Sequence, residues 1–253
     1  MVRFPGLDGY VSMDVDSHTY WDKDGRQYES VSKFLSRFYE AFDAKVISRA
    51  VAKSTGEDAE EIAAGWAKYG KERADEGTRV HEAMELFEKE LKVKPEDEEL
   101  RPSLISIASE YKSYYRLYQE QCLYDTESLV AGTSDKLCLF SSHPNSVVDI
   151  ADYKNYVSGL PQINLNKKGE RVHKFMLGPL SHLIDSKFNK VCLQLSVYAY
   201  LLEKKTGRRI GKLYIHVIPP DNPLAHYMVP MMYMKYEVEA MLLHKKIEDN
   251  VLV

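Results

Sequence analysis

The sequence predicts a mixed α/β (α+β) protein with a sheet-and-helix core and an N-terminal helical lobe. Two observations carry this. Apolar residues recur at helical spacing through much of residues 30–121, and three strand-like runs then follow one another up to Lys154. A long amphipathic helix, one further apolar strand and a closing helix complete the order. No linker, repeat or low-complexity tract divides the chain. Residues 1–253 are therefore read as a single domain, with 1–121 holding a hairpin and the helical lobe and 122–253 the sheet–helix core.

Element by element, Thr19-Tyr20-Trp21 and Gln27-Tyr28 flank Asp22-Lys23-Asp24-Gly25, and Asp-Gly is a strong hairpin turn. Ser30 or Ser32 can cap a helix whose apolar positions are Val31, Phe34, Leu35 and Phe38. Helical pattern runs from about Glu57 towards Lys92, with a break or bend expected near Gly70 or Gly77. Within it Val80, Met84, Phe87 and Leu91 form a narrow apolar stripe. Pro95 to Glu99 reads as an acidic, exposed connection, and another helix as spanning about Leu100 to Gln121. Residues 128–131, 136–140 and 147–154 read as three strands, the first two linked by Gly132-Thr133-Ser134-Asp135. A loop from Asn155 to Asp185 leads to a helix over about 186–205 ended by Gly207, a strand over 212–219 and a helix over about 236–249.

Composition narrows the function classes. Hydrophobic residues make up 44% and charged residues 28%, as in a soluble globular chain and unlike a disordered one. No run of about 18 apolar residues suggests a membrane span, and the first residues lack the apolar stretch of a secretory signal. Three cysteines, Cys122, Cys138 and Cys192, are too few for the four thiolates of a usual iron–sulfur cluster and fit a reducing, cytoplasmic compartment. The net charge of −4 is unevenly spread: Leu165 to Lys212 holds eleven Lys and Arg against three Asp and Glu, which leaves the rest of the chain at −12. That stretch is either two solvated basic segments flanking a helix or a local phosphate-tracking patch.

The chemistry centres on Asp135, Asp152 and Lys154. Asp152 and Lys154 are two apart on an expected strand, so both project from one face. Asp135 sits at the mouth of the neighbouring hairpin. Carboxylate oxygens suit Mg²⁺ or Mn²⁺, ions that generate hydroxide and polarise a phosphoryl oxygen. A lysine alongside orients water or stabilises developing charge. Asp-x-Lys alone is a common exposed ion pair, worth about 0–1 kcal/mol. Asp149 falls on the opposite strand face and reads as a solvated or capping carboxylate.

The surrounding residues extend the pattern. Gly77-Thr78-Arg79-Val80-His81 lies in a helical stretch, Gly132-Thr133-Ser134-Asp135 opens a strand, Asp152-Tyr153-Lys154 ends the next, and Gln194-Leu195-Ser196-Val197-Tyr198 lies on the following helix. In that order they resemble the RecB-like exonuclease branch of the PD-(D/E)XK nuclease superfamily, phage-type exonucleases in particular. The mitochondrial genome maintenance exonuclease is a more distant likeness. Tyr28-Glu29-Ser30-Val31-Ser32, the Trp66 helix and Gly178-Pro179-Leu180-Ser181-His182 extend the resemblance over most of the chain.

The resemblance implies a restriction-endonuclease-like core, a mixed central sheet flanked by helices. It implies a DNA exonuclease of replication, recombination or repair in a bacterial or phage-infected cell, acting with one or two Mg²⁺ or Mn²⁺ ions. His81, Asp135, Asp152 and the Tyr153 carbonyl would bind metal, and Lys154 would be the catalytic lysine. Gln194 and Tyr198 would border the substrate, and Glu127 would match an accessory acid. The helical lobe would wall the substrate passage, and a replication or recombination protein could be a partner. Ser134 replaces the family's proline, and Asn155 stands where Thr or Ser often follows the lysine.

Each residue also has a plainer reading. His81 can be a satisfied histidine beside an apolar stripe, and His81-Glu82-Ala83-Met84-Glu85 lacks the second histidine of a zinc-protease helix. Tyr198 can be core filling, Gln194 a helix-surface amide and Asp135 a turn former. Trp66, Tyr111, Tyr114 and Tyr115 can stack on bases but read first as packing. The alternatives to an exonuclease are a structure-specific or nicking endonuclease and a non-catalytic DNA-binding recombination accessory protein.

Overall fold

The computed structural model describes residues 2–14, 17, 19–155, 164–165, 171–172, 174–219, 222 and 224–251. Strand β1 (Val11–Asp14) precedes the expected hairpin of β2 (Thr19–Asp22) and β3 (Gln27–Ser30). The Asp22 carboxylate accepts the backbone N–H groups of Asp24 and Arg26, each at 2.9 Å, and Gly25 turns the chain at φ 80°. Ser30 caps α1 (Val31–Ser36), its side chain accepting the Lys33 N–H. Helix α2 (Ala44–Thr55), which the sequence reading lacked, ends at Gly56 with φ 79°.

Helix α3 (Ala59–Glu90) runs 32 residues through Gly70 and Gly77, so the expected break is absent. A lone glycine costs only about 1 kcal/mol in a helix, which a long packed helix outweighs. Leu91 does not extend the apolar stripe: it ends the helix at φ 55° and is 73% exposed. The Pro95–Leu100 segment is a 3₁₀ turn rather than a wholly exposed connection, because buried Asp97 pairs with Arg79 at 2.8 Å.

Helix α4 covers only Arg101–Glu110, and after a 3₁₀ turn (Tyr111–Ser113) the chain becomes strand β4 (Arg116–Asp125) where a helix to Gln121 was expected. Gln121 and Cys122 are thus consecutive residues of one strand. The two strands expected at 128–131 and 136–140 are one, β5 (Val130–Leu139), continuous through Asp135. Strand β6 (Val148–Lys154) follows. Within the expected loop lie a ribbon of β7 (Asn164–Leu165) and β8 (Arg171–Val172) and a 3₁₀ turn at Gly178–Leu180. Residues 156–163, 166–170 and 173 of that loop are outside the described residues, as are Lys167 and Lys168 of the basic stretch.

Helix α5 (Lys187–Thr206) is capped by Ser186 and ended by Gly207 at φ 68°, followed by β9 (Ile210–Val217), β10 (Tyr227–Met231) and α6 (Lys235–Val251). The main sheet is mixed, in the order β1-β2-β3-β5-β6-β9-β10, with β4 also paired to β5. Pairs β3–β5 and β6–β9 are parallel. One face is covered by α1, α5 and α6, whose Phe34, Val191, Leu195 and Val238 meet Leu137, Val148 and Ile150. The other is covered by α3 and α4, whose Met84, Phe87 and Leu104 meet Cys138, Ala151 and Tyr153. A mixed sheet between two helical layers is the architecture the sequence predicts. Among the described residues no helix is long and apolar enough to cross a membrane.

Candidate active site

The sheet register assembles the site. Lys136 pairs with Ala151, so Asp135 lies one step further along, beside Asp152. On the other side of β5, Gln119 pairs with Lys136 and Gln121 with Ser134, which sets Glu120 opposite Asp135. Glu120, Asp135 and Asp152 thereby form a row across three adjacent strands. Like charges facing one another across a ladder are destabilising. Glu120 also sits at φ 47°, a left-handed conformation that costs a non-glycine residue about 1–3 kcal/mol and gathers at functional sites.

His81 reaches this row from α3. Its Nε2 lies 3.7 Å from Asp135 Oδ2 and 3.4 Å from the Tyr153 carbonyl oxygen. The Tyr153 N–H donates to Asp135 Oδ2 at 3.1 Å. One donor atom each from His81, Glu120 and Asp135 lies within 4.8 Å of the other two. Lys154 Nζ is 2.5 Å from Asp152 Oδ2, an oxygen that is buried and accepts no hydrogen bond.

Burial and the Asp152 charge hold the Asp135 carboxyl well above its usual range, with Lys154 opposing. Burial, Glu85 and Asp152 push Glu120 up to about 7. Burial lowers the His81 pKa and favours the neutral imidazole. The donor set fits a hard divalent cation: carboxylates that resist ionising together, one neutral imidazole, a main-chain carbonyl and a buried carboxylate oxygen without a hydrogen bond.

Gln194 Nε2 donates to the Tyr198 hydroxyl at 3.2 Å, and Tyr198 is 5% exposed. Tyr198 thus fills the core against Gly132, where a Cβ would meet Tyr198 Cε1 at 2.7 Å, and Gln194 is the more accessible of the two. Asn155 Nδ2 donates to the Arg73 carbonyl at 3.2 Å, tying the end of β6 to α3. Asp149 is not solvated: it is buried and accepts from the Tyr114 hydroxyl and the Lys212 N–H, each at 2.7 Å. Tyr111 is packed in the core, Tyr115 is exposed, and Trp66 meets Phe42 at 5.4 Å.

Glu127 is not brought to this group. It lies in the β4–β5 turn, ion-paired with Lys204 at 2.9 Å, about 17 Å along the ladder from Asp135.

No family model matches the chain, and no curated protein does. Among solved structures it is similar to the crystal structure of a "Putative exonuclease" from Eubacterium rectale, at 12% identity and a TM-score of 0.37, covering 88% of this chain and 79% of that one. A likeness at that level carries nothing to the chemistry of this chain, which rests on its own side chains.

The residues missed from sequence are Glu120, Glu85, Lys136 and Glu88. Glu85 stands four residues after His81 on α3, a spacing that puts both on one helix face. Lys136 is 1% exposed and pairs with Glu88, while its Nζ donates to the Tyr153 hydroxyl at 2.5 Å and lies 4.2 Å from the Tyr111 ring centre. This network pins the Tyr153 ring, and with it the backbone groups that face Asp135 and His81.

Proposed function

We propose that the protein is a divalent-metal-dependent nuclease that hydrolyses DNA phosphodiester bonds, working as an exonuclease. The observation that carries this reading is the carboxylate row Glu120–Asp135–Asp152, with His81 above it and the Lys154 ammonium against Asp152. Asp135, Asp152, His81, Glu120 and the Tyr153 carbonyl would hold one or two Mg²⁺ or Mn²⁺ ions. Such an ion supplies Lewis-acid polarisation of the phosphoryl oxygen and a more acidic water.

The chain's own groups do the rest. Asp152, in contact with Lys154 Nζ, aims it, and Lys154 orients the attacking water and stabilises charge developing on the phosphate. Gln194, held by the Tyr198 hydroxyl, offers an amide at the border of the substrate. The preference for DNA and for ends comes from the RecB-like resemblance, as does a role in replication, recombination or repair.

The test is digestion of end-labelled single- and double-stranded DNA with and without Mn²⁺, beside a covalently closed circle. Metal-dependent shortening from the ends with the circle intact is expected, whereas a cut circle identifies an endonuclease. Lys154→Ala should slow cutting by roughly 100- to 10,000-fold, with the far-UV spectrum unchanged. A variant at full rate removes Lys154 from the mechanism, and a wild-type protein inert under every metal condition leaves a DNA-binding accessory role.

A further inference from the structure

A second cluster of metal-ligating side chains stands beside the ring of Tyr153. His216 on β9 pairs in register with Tyr153, and their rings stack with centres 5.6 Å apart. His216 is fully buried, and its Nε2 has no hydrogen-bond partner. Its Nδ1 lies 2.8 Å from Nε2 of His226, in the segment leading to β10. Nδ1 of His226 is in turn 4.0 Å from Glu110 Oε1 at the end of α4. One donor atom of each of the three lies within 4.8 Å of the other two. The proposed hydrolysis uses none of them.

Two imidazoles meeting nitrogen to nitrogen in the core, with a carboxylate at the mouth, are poorly explained by packing alone. A hydrogen bond between them consumes one proton and leaves a buried ring nitrogen without a partner, which is uncommon. We propose that Glu110, His216 and His226 form a second metal site, for a borderline transition-metal ion such as Zn²⁺.

Two imidazoles and one carboxylate suit Zn²⁺, Co²⁺ or Ni²⁺, whereas Mg²⁺ prefers oxygen donors throughout. Tetrahedral bonds of about 2.0–2.2 Å place donors roughly 3.3 Å apart. To hold an ion, Nδ1 of His216 and Nε2 of His226 would separate by about half an ångström and turn towards a common point. The Glu110 carboxylate, 36% exposed and now beside the other ring nitrogen of His226, would swing to the Nε2 side. The ion would clamp the end of α4, β9 and the approach to β10, with its fourth position left to water.

The test uses the full chain carrying Asp135→Asn and Asp152→Asn, which disables the carboxylate-row site and makes the outcome independent of nuclease activity. After chelator treatment the protein is titrated with Co²⁺ and followed by visible absorption. One equivalent of Co²⁺ is expected, displaced by Zn²⁺ and not by excess Mg²⁺, and Zn²⁺ should raise the Tm. Adding His226→Ala should weaken binding by about 100-fold or more and abolish the Tm rise. If that variant does not fold, Glu110→Gln at the half-exposed position carries the test, with a loss of about tenfold expected. The proposal is overturned if no Zn²⁺-displaceable Co²⁺ binds, or if affinity is the same in the variants. The two histidines are then a hydrogen-bonded pair and nothing more.

Discussion

At Glu120, burial and the charges of Glu85 and Asp152 lift the carboxyl from its ordinary 4.5 to about 7, and Asp135 is raised in the same direction. A carboxyl raised by folding stabilises the folded state while it is protonated. That contribution is complete below about 4.5 and is lost as pH rises through about 7. The metal-free protein should therefore lose stability across this window. In chelator, the wild-type Tm is expected to fall from pH 5 to pH 8 more steeply than that of Glu120→Gln, which cannot ionise. Parallel curves for the two proteins would show that Glu120 is not the strained group. A saturating divalent ion should flatten the wild-type curve, because it stabilises the ionised form that the empty site disfavours.

Two glycines in neighbouring elements separate a packing constraint from a spacer. A Cβ on Gly132 of β5 would meet Tyr198 Cε1 and Val31 Cγ2, both at 2.7 Å, and neither buried side chain has room to yield. On Gly77 of α3 the nearest atom, Asn155 Nδ2, is at 3.6 Å, an ordinary contact. Gly132→Ala should cost about 1–3 kcal/mol, while Gly77→Ala should gain about 0.5–1 kcal/mol through helix propensity. Urea denaturation of the two variants checks this, and the opposite ranking would refute the assigned packing. The same elements mark the limits of sequence reading. The hairpin at Gly25, the caps Ser30 and Gly207 and the strand carrying Asp152 and Lys154 were legible because local chemistry dictates them. Strand β4 was not: Tyr111, Tyr114, Tyr115 and Tyr118 recur at helical spacing, and only pairing with β5 makes their C-terminal part a strand. Losing β4 concealed Glu120 and its place opposite Asp135. Lys136 and Glu88 were invisible for a related reason, since a buried ion pair between a helix and a strand leaves no local pattern.

Across the whole molecule the charge distribution sets what binding can be. The chain carries −4 overall, and the candidate site gathers Glu85, Glu120, Asp135 and Asp152, with Lys89 paired to Glu85 and Lys154 against Asp152. In their ionised forms these carboxylates repel an approaching phosphate. Two unit charges of like sign 4 Å apart oppose each other by about 4 kcal/mol at an effective dielectric constant of 20. A divalent ion held by the carboxylates reverses the sign of that field locally, so DNA affinity should depend on metal before any bond is cut. With Ca²⁺ in place of Mn²⁺ and ionic strength held constant, fluorescence anisotropy should show a short labelled DNA binding at least about tenfold more tightly than in chelator, a difference of about 1.4 kcal/mol. Asp135→Asn with Asp152→Asn should narrow that gap, because the neutralised pair neither repels phosphate nor holds the ion. Equal affinity with and without the cation would mean that DNA is held on a basic surface elsewhere, and the acidic row would lose its claim to the scissile phosphate.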